Sequence, residues 1–245
     1  GRSFWDLDIK VDLRVYPGEP TSKTGGGGSF ELNFSGTGAG GGTGNLQSTG
    51  QWAVAHQAFT ASVDTAQPVT IVIALNDDLT TLEKHEVYMQ RPPRITKNFT
   101  LKGSIGQSYT YSVPYGGLIY ASSGEEKVTL TLSNTVKAPW YKLAQDGTGQ
   151  WINPVNSPAP FGEIESKTFI YTATKQNLQA SNYSGDVKQF AEELDTFSGN
   201  LNDFYARDEG ISGNLNRKST DSSIPNHKHR VVNDIAISKG GAHSG

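Results

Sequence analysis

Trp5-Asp6-Leu7-Asp8-Ile9-Lys10-Val11-Asp12-Leu13-Arg14-Val15 alternates without a break, with every odd position apolar and every even one charged. A period of two marks a β-strand with one face in a core and the other in water. Pro17-Gly18 ends it. Phe30, Leu32 and Phe34 repeat the alternation, and further strands are read at residues 69–75, 108–113, 118–120, 128–132, 168–172 and 231–237. Short strands between polar turns are the pattern of an antiparallel sandwich.

Near Ser184 the period changes. Val187, Phe190, Ala191, Leu194, Phe197, Leu201 and Phe204 recur at helical spacing, with Ser184 placed to cap and Asp186 in the first turn. The spacing predicts one helix, about 185–205, weakened by Gly199. The chain therefore divides into three segments. Residues 1–90 form a β-sandwich region with glycine-rich loops, 91–175 a second β-rich part, and 176–245 the start of a further subdomain. Arg91-Pro92-Pro93-Arg94 forces extended backbone at the first crossing.

The 245 residues are enough for a substantial core, with a net charge of −3. That charge argues against an electrostatic nucleic-acid partner. Charged residues are only 18% of the chain, a balance that favours an all-β secreted or surface protein. There is no cysteine, which excludes disulfides, thiolate metal sites and cysteine nucleophiles. No run approaches the ~18–20 apolar residues of a membrane helix, so insertion into a membrane is not expected.

Residues 36–41, Gly-Thr-Gly-Ala-Gly-Gly, formally fit a dinucleotide fingerprint, but Thr43-Gly44-Asn45 continues as loop where a helix must open. Both glycine tracts, 25–28 and 36–44, are read as loops that bind no nucleotide. A helical zinc peptidase needs two His four residues apart, with a Glu after the first. Of His56, His85, His227, His229 and His243, only His85-Glu86 begins that motif, and the fourth residue on is Met89. His85 and the His227-Lys228-His229 run read as exposed loop. Glu125-Glu126 and Glu192-Glu193 are adjacent pairs whose side chains diverge, so both read as solvated faces. No Gly-x-Ser-x-Gly supports a serine nucleophile. Trp5, Trp52, Trp140 and Trp151 are either core residues or stacking platforms for sugars. Tyr115 and Tyr120, flanking Gly116-Gly117, leave the same choice open between contact with a polymer and packing of a turn.

Two stretches carry a family resemblance: Pro114-Tyr115-Gly116-Gly117-Leu118-Ile119-Tyr120 and Gly240-Gly241-Ala242-His243-Ser244-Gly245. Together they resemble the enhancin-like zinc metallopeptidases, which include viral enhancins and bacterial immunomodulating, mucin-degrading proteases. Gln51-Trp52, Phe59 and Gln67-Pro68-Val69-Thr70-Ile71 follow the same order more loosely. The second stretch looks like the family's segment just upstream of its zinc-binding helix. The resemblance implies an antiparallel β-sandwich leading into the start of an α/β (α+β) peptidase domain. It also implies zinc as cofactor, O-glycosylated host glycoproteins or mucins as substrates, and a secreted or bacterial cell-surface location. The zinc ligands and general base would lie in the remaining C-terminal part of the same protease. No residue of this chain is then catalytic or metal-binding, and the chain alone is expected to be inactive. Tyr115, Gly116, Gly117, Tyr120 and His243 are the candidates for substrate contact, with a simple loop role for His243 as the alternative. The rival reading is a stand-alone glycan-binding or adhesin sandwich.

Overall fold

The computed structural model describes residues 17–34, 46–75, 96–102, 105–183, 185–206 and 228–233. The alternating stretch 5–15, the second glycine tract, His85, His227, His243 and the Pro92-Pro93 crossing lie outside these residues.

The chain builds three sheets, the first two from strands that interleave along the sequence and the third from strands that follow them. Gly28–Asn33 (β1), Lys127–Ser133 (β8), Phe59–Val63 (β3) and Tyr109–Tyr111 (β6) pair antiparallel in that spatial order. A second antiparallel sheet runs Lys97–Leu101 (β5), Val69–Ile73 (β4), Gly117–Ser123 (β7), Gln47–Ala53 (β2) and Val136–Lys137 (β9). Leu32, Phe59, Ala61, Leu130 and Leu132 of the first sheet close against Ile71, Ile73, Leu101, Ile119 and Ala121 of the second. This is the expected sandwich core, with alternate strand residues pointing inward. The first glycine tract is not wholly loop: Gly28 opens β1 opposite Leu132, and the Gly26 amide donates to the Thr135 carbonyl at 3.1 Å.

The third sheet orders Gly149–Asn153 (β11), Trp140–Leu143 (β10), Phe161–Glu165 (β12), Phe169–Thr174 (β13) and His229–Asn233 (β14). It is mixed, since β10 runs parallel to β12 and β13 parallel to β14. One face carries Tyr141, Leu143, Ile164 and Ala173 against Ala191 of the helix Val187–Ala206 (α1). The other face turns toward the sandwich, where Phe161 stacks on Trp52 with ring centroids 6.2 Å apart. Four layers result: first sheet, second sheet, third sheet, helix.

The change of sheet falls at residues 137–140, whereas β4 and β5, on either side of residue 90, pair in one sheet. The helix is also capped differently from the sequence reading. Asp186 accepts the Lys188 amide at 2.8 Å and occupies the cap position itself. Phe197, which follows the helix's apolar spacing, is 56% exposed.

β7 is buried on both faces. Ile119 and Ala121 enter the sandwich core, while Leu118 and Tyr120 face the third sheet. Where the second and third sheets come closest, Gly50 holds φ +65°, and a Cβ there would meet Trp140 Cε3 at 2.6 Å. Its carbonyl accepts from Asn153 Nδ2 at 2.8 Å and from the Ala138 amide at 2.9 Å. The position tolerates only glycine, for both space and backbone.

Candidate functional site

Two charged residues alternate on β12 and two more at β14, and the sheet brings them together on its sandwich-facing side. Glu163 and Glu165 sit two apart in a strand, so both point the same way. Lys228 and Arg230 have the same spacing. Arg230 is 1% and Glu163 4% exposed in their side chains, and the two form an ion pair through Arg230 Nη1 and Glu163 Oε1. Lys228 Nζ lies 2.6 Å from Glu165 Oε1 and donates to the Ser166 carbonyl at 2.7 Å.

Each carboxylate is surrounded by donors. Glu163 accepts from Tyr120 Oη at 2.9 Å, from Thr172 Oγ1 at 2.7 Å and from Ser48 Oγ. Glu165 accepts from Trp140 Nε1 at 3.0 Å, with Lys142 Nζ at 3.7 Å. Arg230 Nη2 donates to the Leu46 carbonyl at 3.2 Å and to Ser48 Oγ at 3.3 Å, and the guanidinium lies 4.6 Å from the Tyr120 ring centroid.

The titrations follow from this geometry. Burial alone would raise the Glu165 pKa, but the Lys228 and Lys142 ammonium groups outweigh it and hold the carboxyl below its ordinary range. Burial likewise opposes charge on Arg230, and the Glu163 carboxylate beside it pushes its pKa up instead. The Tyr120 phenol is driven well above the usual tyrosine value, by burial first and the Glu163 charge second.

The residues named for substrate contact separate. Tyr120 is 1% exposed and offers no ring face to a sugar, because its side chain fills the junction between the second and third sheets. Gly116 and Gly117 are buried, and the chain itself makes the close approach. A Cβ on Gly116 would meet Trp52 Nε1 at 2.7 Å, and one on Gly117 would meet the Ala74 Cβ at 2.6 Å. Ala74 holds a left-handed φ of +61° at the end of β4. Tyr115 is half-buried beside this turn. Pro17, Pro20, Lys23, Trp52 and Gly116 line a shallow cleft at the same place. The Trp52 indole N–H is buried and has no hydrogen-bond partner among the described residues. Trp52 is therefore a core residue, and Trp140 spends its N–H on Glu165.

The adjacent acidic pairs point into solvent or its margin, Glu126, Glu192 and Glu193 being exposed and Glu125 half-buried. Reading the chain for adjacent carboxylates missed the buried pair Glu163 and Glu165. The available signal was Glu163-x-Glu165 matched by Lys228-x-Arg230. Lys228, read as part of an exposed loop, is largely buried, and His229 belongs to β14. No group of three or more His, Cys, Asp or Glu among the described residues is placed to hold a metal ion. Both buried carboxylates are neutralised by their own cations, so the donor set does not fit zinc.

This succession of layers is the front of an M60-type peptidase fold. The chain overlays the M60 catalytic domain of ZmpC from Clostridium perfringens, solved with the sialyl T antigen, with a TM-score of 0.57 at 15% identity. That overlay covers 87% of this chain and 45% of that one. The IMPa metallopeptidase in complex with T-antigen gives 0.51 at 19% identity, over 72% of this chain and 21% of that one.

Residues 29–136 match the N-terminal domain of M60-like peptidases, and residues 134–245 match peptidase M60, enhancin and enhancin-like. The chain belongs to this enhancin-like M60 family. It is 56% identical, over its whole length, to the accessory colonization factor AcfD of Vibrio cholerae and 47% identical to the putative lipoprotein AcfD homolog of Escherichia coli. It spans 16% of the length of each of these relatives. The two family matches meet at 134–136, where the sandwich gives way to the third sheet.

Proposed function

We propose that this chain is the non-catalytic, substrate-facing N-terminal part of a zinc metallopeptidase that cleaves O-glycosylated, mucin-like proteins at or beyond the bacterial surface. The observation that carries the reading is the consecutive match of both family domains, over 29–136 and 134–245, on a fold similar to M60 catalytic domains. The glycan class is supported by those neighbours, which were solved with T antigen and sialyl T antigen. A colonization factor and a lipoprotein among the relatives support the location.

In this reading zinc, its ligands and the general base come from elsewhere in the complete protein, since the donors described here do not fit the metal. The five histidines of the chain include no pair four residues apart. Bound zinc would activate a water for attack on the peptide bond. This chain would present the glycoprotein, with Tyr115 the contact candidate among the described residues and His243 a candidate outside them.

Zinc content and cleavage of an O-glycosylated mucin fragment, measured for this chain alone and for the complete protein, test the reading. Stoichiometric zinc and cleavage are expected from the complete protein only. Either property in the chain alone contradicts a non-catalytic role. Glycan binding by a complete protein that cuts nothing would favour the adhesin reading instead.

A further inference from the structure

The buried charged junction draws its members from both family domains. Glu163, Thr172 and Arg230 belong to the third sheet, within the peptidase match. Leu46, Ser48 and Tyr120 belong to the N-terminal domain match. The two terminal nitrogens of the Arg230 guanidinium face opposite sides, Nη1 serving Glu163 and Thr172 and Nη2 serving the Leu46 carbonyl and Ser48, while the buried Nε has no partner among the described residues. Glu163 is shared in the same way between Thr172 and Arg230 on one side and Tyr120 and Ser48 on the other.

The strand that carries Arg230 is an edge strand. Among the described residues β14 pairs only with β13, at the edge of its sheet, and Val231 is 42% exposed. Side chains anchor it as well: Arg230 in the buried junction, Asn233 Nδ2 donating to Tyr171 Oη at 2.8 Å, and Lys228, just before the strand, on Glu165 and the Ser166 carbonyl. A buried pair stripped of part of its hydrogen bonds is costly, so loss of the sandwich-side donors and acceptors weakens the hold that Arg230 gives β14.

We infer that Ser48 and Tyr120, in the N-terminal domain, are positioning residues for the peptidase: acting through Glu163 and Arg230, they fix β14. The inference rests on the peptidase reading above. It gives the N-terminal domain a part in turnover that does not require it to touch substrate.

The test uses the complete protein with two small variants, Tyr120→Phe and Ser48→Ala. Tyr120→Phe keeps the ring over Arg230 and removes only the O–H donated to Glu163. Amide hydrogen exchange and steady-state cleavage of an O-glycosylated peptide are measured for each. Expected is exchange at β14 at least about tenfold faster, the factor implied by one lost hydrogen bond to a charged group. β4 and β8 exchange at the wild-type rate, and kcat falls severalfold at unchanged KM. Unchanged exchange at β14 overturns the inference, as does faster exchange spread evenly over all three sheets. A raised KM at constant kcat overturns it as well, because the residues would then act in binding. If the wild-type protein cuts no O-glycosylated peptide, the peptidase reading falls with the turnover role, while the exchange data still decide whether Ser48 and Tyr120 hold β14.

Discussion

Glu165 lies between two ammonium groups and an indole N–H, buried where an unpaired carboxylate would be costly. Its folded pKa is below the ordinary value of 4.5, so the unfolded chain takes up a proton before the folded one does. The stabilisation is therefore complete above about pH 4.5 and is lost as the pH falls through the lower folded value. Glu165→Gln leaves the Lys228 charge without its counter-ion. It should lower stability at neutral pH by about 3 kcal/mol, the low end for a broken buried pair. It should also flatten the acid limb of a plot of melting temperature against pH. Parallel acid limbs for wild type and variant would show that another carboxylate governs acid unfolding. Gly50 makes a second test at this scale. Gly50→Ala combines a left-handed φ with a clash against Trp140 and Asn153. Its cost in a urea titration should exceed the ~1 kcal/mol of a simple conformational mismatch. A loss below ~0.5 kcal/mol would mean the two sheets separate easily at that point.

The elements differ in how openly the sequence declares them. α1 was legible because it is amphipathic and lies on the outside of a sheet, so its 3.6-residue period survives in the spacing of Val187, Ala191 and Leu194. What spacing could not settle was the edge of the stripe. Phe197 lies about a quarter turn from the line through Leu194 and Ser198, and Ser198 is the buried residue. By sequence Ser184 reads as the cap and Asp186 as a first-turn residue, whereas the hydrogen bond from the Lys188 amide places Asp186 at the cap. Asp186→Ala should cost about 1 kcal/mol, the usual penalty for a lost N-cap, and lower the helical circular-dichroism signal before the strand signal in a urea titration. Coincident loss of both signals would show that α1 is held by packing alone. β12 was invisible for the opposite reason. Phe161-Gly162-Glu163-Ile164-Glu165 is buried throughout, so no polar face alternates with an apolar one, and two carboxylates in a row of five look like surface. The candidate site shares that fate. Tyr120 was singled out for its glycine neighbours, yet its role comes from partners 43 residues away along the chain, which no local pattern reveals.

At the scale of the whole molecule, the decisive surface is the one between the second and third sheets. It combines a stacked aromatic pair, Trp52 on Phe161, with a charge pair whose hydrogen bonds come from both family domains. A buried pair of this kind contributes little net stability over an apolar replacement, but breaking it from one side is severe. That asymmetry predicts the outcome of a double-mutant cycle. Glu163→Gln and Arg230→Met should each destabilise by about 3–5 kcal/mol, and the double variant by clearly less than their sum, because the second change removes a charge the first left unpaired. The site of the loss carries the larger argument. If the junction makes one cooperative unit of the sandwich and the third sheet, each single variant lowers the unfolding midpoint of both together. A fluorophore attached at exposed Gln150 in β11 or at exposed Ser29 in β1 can report the two regions separately. Coincident midpoints in wild type and in every variant are expected. A sandwich that kept its wild-type midpoint while the signal at residue 150 moved to lower denaturant would mean that the two domains are merely adjacent.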